Sequence, residues 1–426
     1  MKAPASKNLR DLAFFGGVPI CAEAWPLWPP ISNDRDLVDR LARVLRSRQW
    51  TIRCHGDGES QLHEAEATWA SRCGVQFALG VSSGSVALEL SLRALQITAG
   101  DEVIVPSVGW YATAAAVCKT GATPVFADVD LKTSCMDAKS AREKITSRTK
   151  AIIVVHLHSG IAAMNEFERL SNSTGIPLIE DAAQAAGGKY LGRNVGSFGV
   201  FGCFSFNQEK QLAIGEGGAI VTNRRDYYES VFALRTDGYL PKSKSSPYFV
   251  ANPKIMGGNA VMSEFAAAIW HAQAKDFDEQ NLIRNRIGSQ LSDVISETGI
   301  AIPLESSTGT DLRPWYEFGF RITHSDLAKW PLKLQAEVLS AELGIDVHPT
   351  DEPVQTCGQL GAIDWGNAPP VAIELTNRLL VFHHRFLLEE RVTSAVPAAL
   401  RKVSKVAETV SDIDSVVALK KEKLNG

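Results

Sequence analysis

Residues 77–106 read FALGVSSGSVALELSLRALQITAGDEVIVP. A β-rich run, FALGV (77–81), passes through a serine–glycine turn into SVALELSLRAL (85–95), a stretch of helix length. A second β-rich run, EVIVP (102–106), follows. Short apolar runs alternating with amphipathic segments predict parallel strands joined by helices. The rhythm continues through WYATAAAVCK (110–119), TPVFADV (123–129), a helix-like stretch at Ala138–Ile145, AIIVV (151–155), NEFERLSNS (165–173) and IPLIED (176–181). The fold class is therefore read as α/β, a mostly parallel mixed sheet covered on both faces. Ligands of such sheets sit at the carboxyl ends of the strands, so residues just after each run are the first places to look for chemistry.

Beyond Asp181 the pattern changes. VFGCFSF (200–206) and GAIVT (218–222) read as two further strands, joined by a loop that carries Lys210 and a GEGG run. Residues 247–259 read as a loop, and 262–295 as one long helix or two in tandem. The remainder, including VPAALRKVSKVAETV, reads as a smaller α+β domain. The expected division is a large domain with an N-terminal arm at 1–255 and a small C-terminal domain at 256–426. KSKSS (242–246) reads as a mobile loop, and KKEK (420–423) as a solvated helix end.

The bulk properties narrow the class. The chain has 426 residues, 45% apolar and 22% charged, enough to bury a large core without staples. Lys and Arg total 44 against 48 Asp and Glu, a net charge of −4, so the basic excess of a nucleic-acid binder is missing. No apolar run approaches the ~20 residues that a membrane helix needs. Met1–Arg10 carries positive charge, but Gly16, Gly17 and Pro19 interrupt the apolar stretch after it, which argues against a secretory leader. Seven cysteines lie scattered with no C-x-x-C pair, so no zinc framework or other metal site is expected and the setting reads as cytoplasmic.

Three constellations stand where a strand ends. Ser82-Ser83-Gly84-Ser85 opens a helix, whose unpaired amides attract anions such as phosphate; taken alone, it reads equally as a serine cap. Asp181 ends an apolar strand, where a carboxylate can hold a proton on a heterocycle nitrogen or merely close the strand. Lys210 follows Ser205 by five residues; a lysine in a desolvated loop forms Schiff bases, whereas an exposed one is only a surface charge. Together they supply a phosphate cradle, a partner for a ring nitrogen and an amine for an aldehyde, the groups that pyridoxal 5′-phosphate requires. Trp110, just after EVIVP, is placed to stack on a flat ring or to pack in the core. No G-x-x-x-x-G-K-[ST] run offers a nucleotide loop instead.

With these motifs in order, the chain resembles the DegT/DnrJ/StrS family of pyridoxal-phosphate aminotransferases, which act on keto-sugars and keto-cyclitols. The resemblance rests on VSSGSVALELSLRAL, DEVIVPSVGWYATAAAV, GATPVFADVD, KAIIVVHLHSG, IEDAAQAAGGKYLGR, VGSFGVFGCFSFNQEKQLAIGEGGAIVTN and GGNAVMSEFAAA, and runs from about residue 80 to 268. It implies a fold type I transferase and a homodimer with shared active sites. Lys210 is then the Schiff-base lysine, and Asp181 the partner of the pyridine nitrogen. Gln184 contacts the phenolic oxygen and Trp110 stacks. Gly84, Ser85 and Ser205 bind the phosphate, and Asn259 reaches the phosphate of the neighbouring subunit.

Departures from the family pattern bear on the substrate. Gly109 stands where the family has Thr, Ser159 where it has Gly, and Ala163-Met164-Asn165 where it has Asp-Met-Asp. GGVPICAEAWPLWPP at 16–30, Gln208-Glu209-Lys210 and Val381-Phe382-His383-His384 look like the scyllo-inosose aminotransferases and the aminohydroxybenzoate synthases. The expected reaction moves an amine from glutamate or glutamine to a keto-cyclitol, in aminocyclitol antibiotic or amino-sugar biosynthesis. The alternatives are a nucleotide-linked keto-sugar, an aromatising lyase, or a non-catalytic partner subunit. His383, His384 and Tyr316 are the candidate substrate contacts, with Arg385 weaker.

Overall fold

The computed structural model describes residues 9–30, 34–52, 60–240, 250–361 and 365–410. The runs at 242–246 and 420–423, Cys54 and most of the first ten residues lie outside these. Strands β1 (Phe77–Val81), β2 (Glu102–Pro106), β3 (Thr123–Ala127), β4 (Thr149–Val155) and β5 (Leu178–Asp181) follow the expected runs closely. Next come two short strands, β6 (Lys189–Tyr190) and β7 (Arg193–Asn194), then β8 (Phe201–Ser205) and β9 (Gly218–Thr222). The main sheet has seven strands in the order β1-β9-β8-β5-β4-β2-β3. Its pairs are parallel except that β9 runs against both neighbours, β1 and β8. A parallel pair needs a crossover helix. Only a loop joins β8 to β9, and it returns the chain in the opposite direction.

Both faces of this sheet are buried, because alternate side chains point to opposite sides. Ile152 and Val154 of β4 pack with Trp69, Phe167 and Trp270 from helices 61–73, 164–174 and 264–273. Ala151 and Ile153 face Leu88, Val117 and Val231 from helices 84–94, 112–119 and 225–235. The same alternation on β8 turns Phe204 and Phe206 toward Trp69 at ring distances of 5.2 and 5.1 Å. Ser205, between them, points at the helix beginning with Gly84.

The stretch read as one helix or two is two, Glu264–Gln273 and Phe277–Thr298. Ser263 caps the first by accepting from the Ala266 amide, and Gly299 ends the second at φ 68°. The C-terminal part holds β10 (Ala301–Pro303), β11 (Thr310–Leu312), β12 (Glu317–Ile322), β13 (Val347–Pro349) and β14 (Leu379–His383). Four of these form an antiparallel sheet in the order β10-β12-β14-β13, while β11 joins β6 and β7. A second core collects here around Trp315, Phe318 and Phe382, closed by helices 277–298, 332–343 and 392–408. Phe277 belongs to the first core, whereas Ile287, Leu291 and Ile295 belong to the second. We propose that the two domains divide inside this helix. The N-terminal arm packs on the small domain, through Leu9, Leu12 and Trp25.

One buried polar node fixes the turn into β8. Glu180 is fully buried, and its carboxylate accepts from the amides of Gly196, Phe198 and Gly199 at 2.8, 2.6 and 2.8 Å. His156 takes the Ala162 amide on Nδ1 at 3.1 Å, so its Nε2–H donates to Glu180 at 3.3 Å. Glu180→Ala strands three amides and an imidazole in a dry interior. The expected loss is about 3–5 kcal/mol of unfolding free energy, read from urea denaturation followed by circular dichroism.

Candidate active site

The carboxyl ends of β1, β2, β4, β5 and β8 open onto one cavity of about 510 Å³, within the usual range for small-molecule sites. The wall includes Gly84, Ser85, Trp110, Asp181, Gln184, Ser205, Lys210 and Tyr316, so eight of the residues singled out from sequence meet there.

At the β1 end, Ser83 caps helix 84–94 by accepting from the Val86 amide at 3.2 Å. Among the described residues the amides of Gly84 and Ser85 meet no acceptor. A Cβ on Gly84 would come within 2.8 Å of the Ser205 Cβ, so only glycine lets the helix start come this close to β8. Two free amides and two hydroxyls at a helix N-terminus form a cradle for a phosphate-sized anion. Trp110 is 55% exposed and lines the cavity, offering a free aromatic face. Gly109 has φ 140°, a conformation that threonine rarely adopts, so its presence resets the loop into Trp110.

Asp181, at the end of β5, is buried. Its Oδ2 accepts from the Thr113 hydroxyl at 2.7 Å, and its Oδ1 from the Ala183 amide at 3.2 Å. Burial nevertheless pushes its carboxyl above the ordinary range. Gln184 Oε1 accepts from the His158 amide at 2.6 Å, which fixes the carboxamide and leaves Nε2 free to donate into the cavity.

Lys210 rides on a loop stitched back on itself. The Phe206 amide donates to Gly217 O at 2.9 Å and Gln208 N to Gly215 O at 2.8 Å, while Asn207 Nδ2 reaches Glu216 at 2.9 Å. Its Nζ lies 3.9 Å from the centre of the Tyr316 ring. Burial lowers its amine to about 8, and the charges of Glu317, Asp181 and Glu209 hold it from falling further. In the cofactor-free protein, acylation of Lys210 by acetic anhydride should therefore rise with pH and level off near 8. An ordinary lysine keeps gaining reactivity to about 10.4; peptide mapping across pH separates the two.

The histidine pair lies outside the cavity wall. His383 and His384 both aim Nε2–H at the Glu209 carbonyl, at 2.9 and 3.1 Å, from behind the lysine loop. The Arg385 amide donates to His383 Nδ1 at 3.1 Å, which leaves Nε2 as its donor. Burial brings His383 down to about 4 and holds His384 well below the ordinary histidine value, so both rings are neutral. Trp28 of the arm meets His384 edge-on at 4.6 Å, and its Nε1–H donates to the Gln208 carbonyl at 2.9 Å. Arg385 stacks on Phe386 and does not line the cavity. Asn259 is exposed beside the end of β1 and also lies outside its own chain's cavity.

Ser159 and Asn165 act behind the wall: Ser159 accepts Arg313 on its carbonyl and hydroxyl, and Asn165 accepts the Tyr190 hydroxyl at 2.7 Å. Sequence reasoning missed Thr113, His158, Glu317, His348, Thr350 and Asp351. His158 follows β4, where the strand-end rule points. Thr113 is the one hydroxyl-bearing residue in its alanine-rich helix. The other four come from the small domain, and no local signal marks them.

The profile of the DegT/DnrJ/EryC1/StrS aminotransferase family matches residues 32–401. The L-glutamine:2-deoxy-scyllo-inosose aminotransferase of Streptoalloteichus tenebrarius is 35% identical over 415 residues, covering 92% of this chain and 97% of that one. Among solved structures, 3-amino-5-hydroxybenzoic acid synthase superposes with a TM-score of 0.80 at 26% identity, covering 92% of this chain and all of that one. The GDP-4-keto-6-deoxy-D-mannose-3-dehydratase of E. coli, solved with bound hydrated PLP, gives a TM-score of 0.76 at 25% identity, covering 88% and 99%.

Proposed function

The chain belongs to the DegT/DnrJ/EryC1/StrS aminotransferase family, and from that premise we propose that it moves an amino group from L-glutamine to the ring ketone of a keto-cyclitol, in aminocyclitol antibiotic biosynthesis. Its cofactor is pyridoxal 5′-phosphate, and the residues present fit it. The free amides at Gly84 and Ser85 suit the phosphate, the open face of Trp110 suits the ring, and the donor end of Gln184 suits the phenolic oxygen. The carrying observation is that Asp181 and Lys210 line one cavity, each within the other's electrostatic reach.

When bound, the cofactor supplies an aldehyde that takes up amines and a ring that accepts the electron pair left by proton removal. Asp181, acting as an anion, holds a proton on the ring nitrogen. Lys210 holds the cofactor through its aldehyde carbon. The low-lying amine of Lys210 would also be the base that takes the proton from the α-carbon of the amino donor at neutral pH. Gly84, Ser85 and Ser205 would fix the phosphate end, so that the reacting atoms keep their alignment.

The protein is further read as a cytoplasmic homodimer in which Asn259 serves the neighbouring site; its exposure and its absence from its own cavity wall support that. Among the described residues no helix is long and apolar enough to cross a membrane. The test is direct. Purified protein loaded with cofactor should absorb in the visible, bleach with borohydride and yield a pyridoxyl adduct on the Lys210 peptide. It should then aminate scyllo-inosose with L-glutamine, following ping-pong kinetics. A colourless protein that takes up no added cofactor overturns the reading.

A further inference from the structure

Five residues of the cavity wall, His158, Glu317, His348, Thr350 and Asp351, have no role in holding the cofactor. We propose that His158, Glu317 and Thr350 form a subsite that reads the hydroxyl groups of an uncharged polyol ketone. The inference rests on the aminotransferase reading and explains how the acceptor would be chosen.

The hydrogen-bond polarity of this wall is the argument. Glu317, at the start of β12, lies 2.7 Å from His158 Nδ1. Burial pushes its carboxyl up, but the hydrogen bond and charge of His158 and the charges of His348 and Lys210 outweigh that, so it stays below the ordinary range. Glu317 is thus an anion that takes the Nδ1–H of His158. Thr350 Oγ1 lies 3.1 Å from His158 Nε2, so Thr350, His158 and Glu317 form one hydrogen-bonded chain. The chain is internally satisfied, and it leaves the second carboxylate oxygen of Glu317 and a lone pair of Thr350 Oγ1 for a ligand in the cavity. His348 is tied back to the Pro349 carbonyl, to which its Nδ1 donates at 3.1 Å. Asp351 stands at the rim, its carboxyl raised by burial and by the charge of Glu317.

A wall built around an anionic carboxylate calls for a ligand rich in donors. Adjacent ring hydroxyls satisfy it, and a carboxylate binds such a pair through charge-assisted hydrogen bonds. A diphosphate finds the opposite of what it needs. Lys210 is the sole lysine or arginine among the described residues lining the cavity, and Glu317 and Asp351 repel an anion. The His158 backbone ties the subsite to the cofactor side, since its amide holds Gln184. His158 is itself left-handed at φ 56°, a conformation that asparagine tolerates best among ordinary residues. His158→Asn therefore keeps the backbone and a donor near Nδ1, whereas His158→Ala loses that donor.

The test uses holoenzyme and scyllo-inositol, an unreactive polyol, with calorimetry, followed by kinetics with scyllo-inosose and with a thymidine-diphosphate-linked keto-sugar. Glu317→Gln and Thr350→Val should each weaken scyllo-inositol binding about tenfold or more. Their effect on amination should fall more on the acceptor KM than on kcat. His158→Ala should resemble Glu317→Gln, with His158→Asn recovering part of the loss. Unchanged inositol affinity in both Glu317→Gln and Thr350→Val overturns the subsite, as does wild-type preference for the nucleotide-linked sugar. Failure of the broader reading looks different: no amine would leave L-glutamine for any ketone.

Discussion

Lys210→Ala lowers amine transfer at least about 10⁴-fold, the combined loss of the cofactor's anchor and of the general base. The geometry makes this the most sensitive atom in the molecule. Nζ sits over the Tyr316 ring, and the loop beneath it is held by Trp28, His383 and His384. No other lysine or arginine among the described residues lines the cavity, so nothing nearby replaces it. Ethylamine added from solution should restore part of the proton transfer in the variant, a recovery that misfolded protein does not show. Single-turnover loss of glutamine's amine measures both effects. Wild-type rates in Lys210→Ala without added amine would assign the chemistry elsewhere.

Asp181→Asn is the second large loss, expected at about 10²–10³-fold in kcat. Asparagine keeps the shape but carries no charge to hold a proton on a ring nitrogen. Its Oδ1 can still accept from the Ala183 amide, and its Nδ2 can donate to the Thr113 hydroxyl, which turns to accept. Stability should move the other way. Burial raises the Asp181 carboxyl in the cofactor-free protein, so the folded state binds that proton more tightly than the unfolded chain. The penalty is absent below the ordinary carboxylate value, grows as pH rises above it and is fully present once pH passes the raised one. At neutral pH the cofactor-free variant should therefore melt no lower than wild type. Activity lost with stability kept separates a catalytic carboxylate from a structural strand cap.

The large domain was legible because its signals are local. FALGV and EVIVP, with a helix between them, announce strands of an α/β sheet, and the strand-end rule points straight at Ser83–Ser85, Trp110 and Asp181. The direction of β9 was less legible, since a connecting loop looks alike in sequence whether it crosses over or turns back. The placing of His383 and His384 was hard to read for a related reason. A histidine pair after an apolar strand has the composition of a substrate contact. What sends both rings to the Glu209 carbonyl is the docking of the small domain behind the lysine loop. Glu317 and Thr350 were illegible because their neighbours, His158 above all, lie more than a hundred residues away in sequence.

The N-terminal arm has a practical consequence. Glu342, buried in the small domain, accepts from the amides of Ala13 and Ile20 at 2.8 and 3.2 Å, and Trp25 donates to Leu343 O at 2.7 Å. From that mooring the chain delivers the indole of residue 28 to the backbone just ahead of the reactive amine. The family profile begins only at residue 32. A gene fragment trimmed to that start would discard the whole strap, so an expression boundary drawn from homology alone would cut away part of the catalytic scaffold.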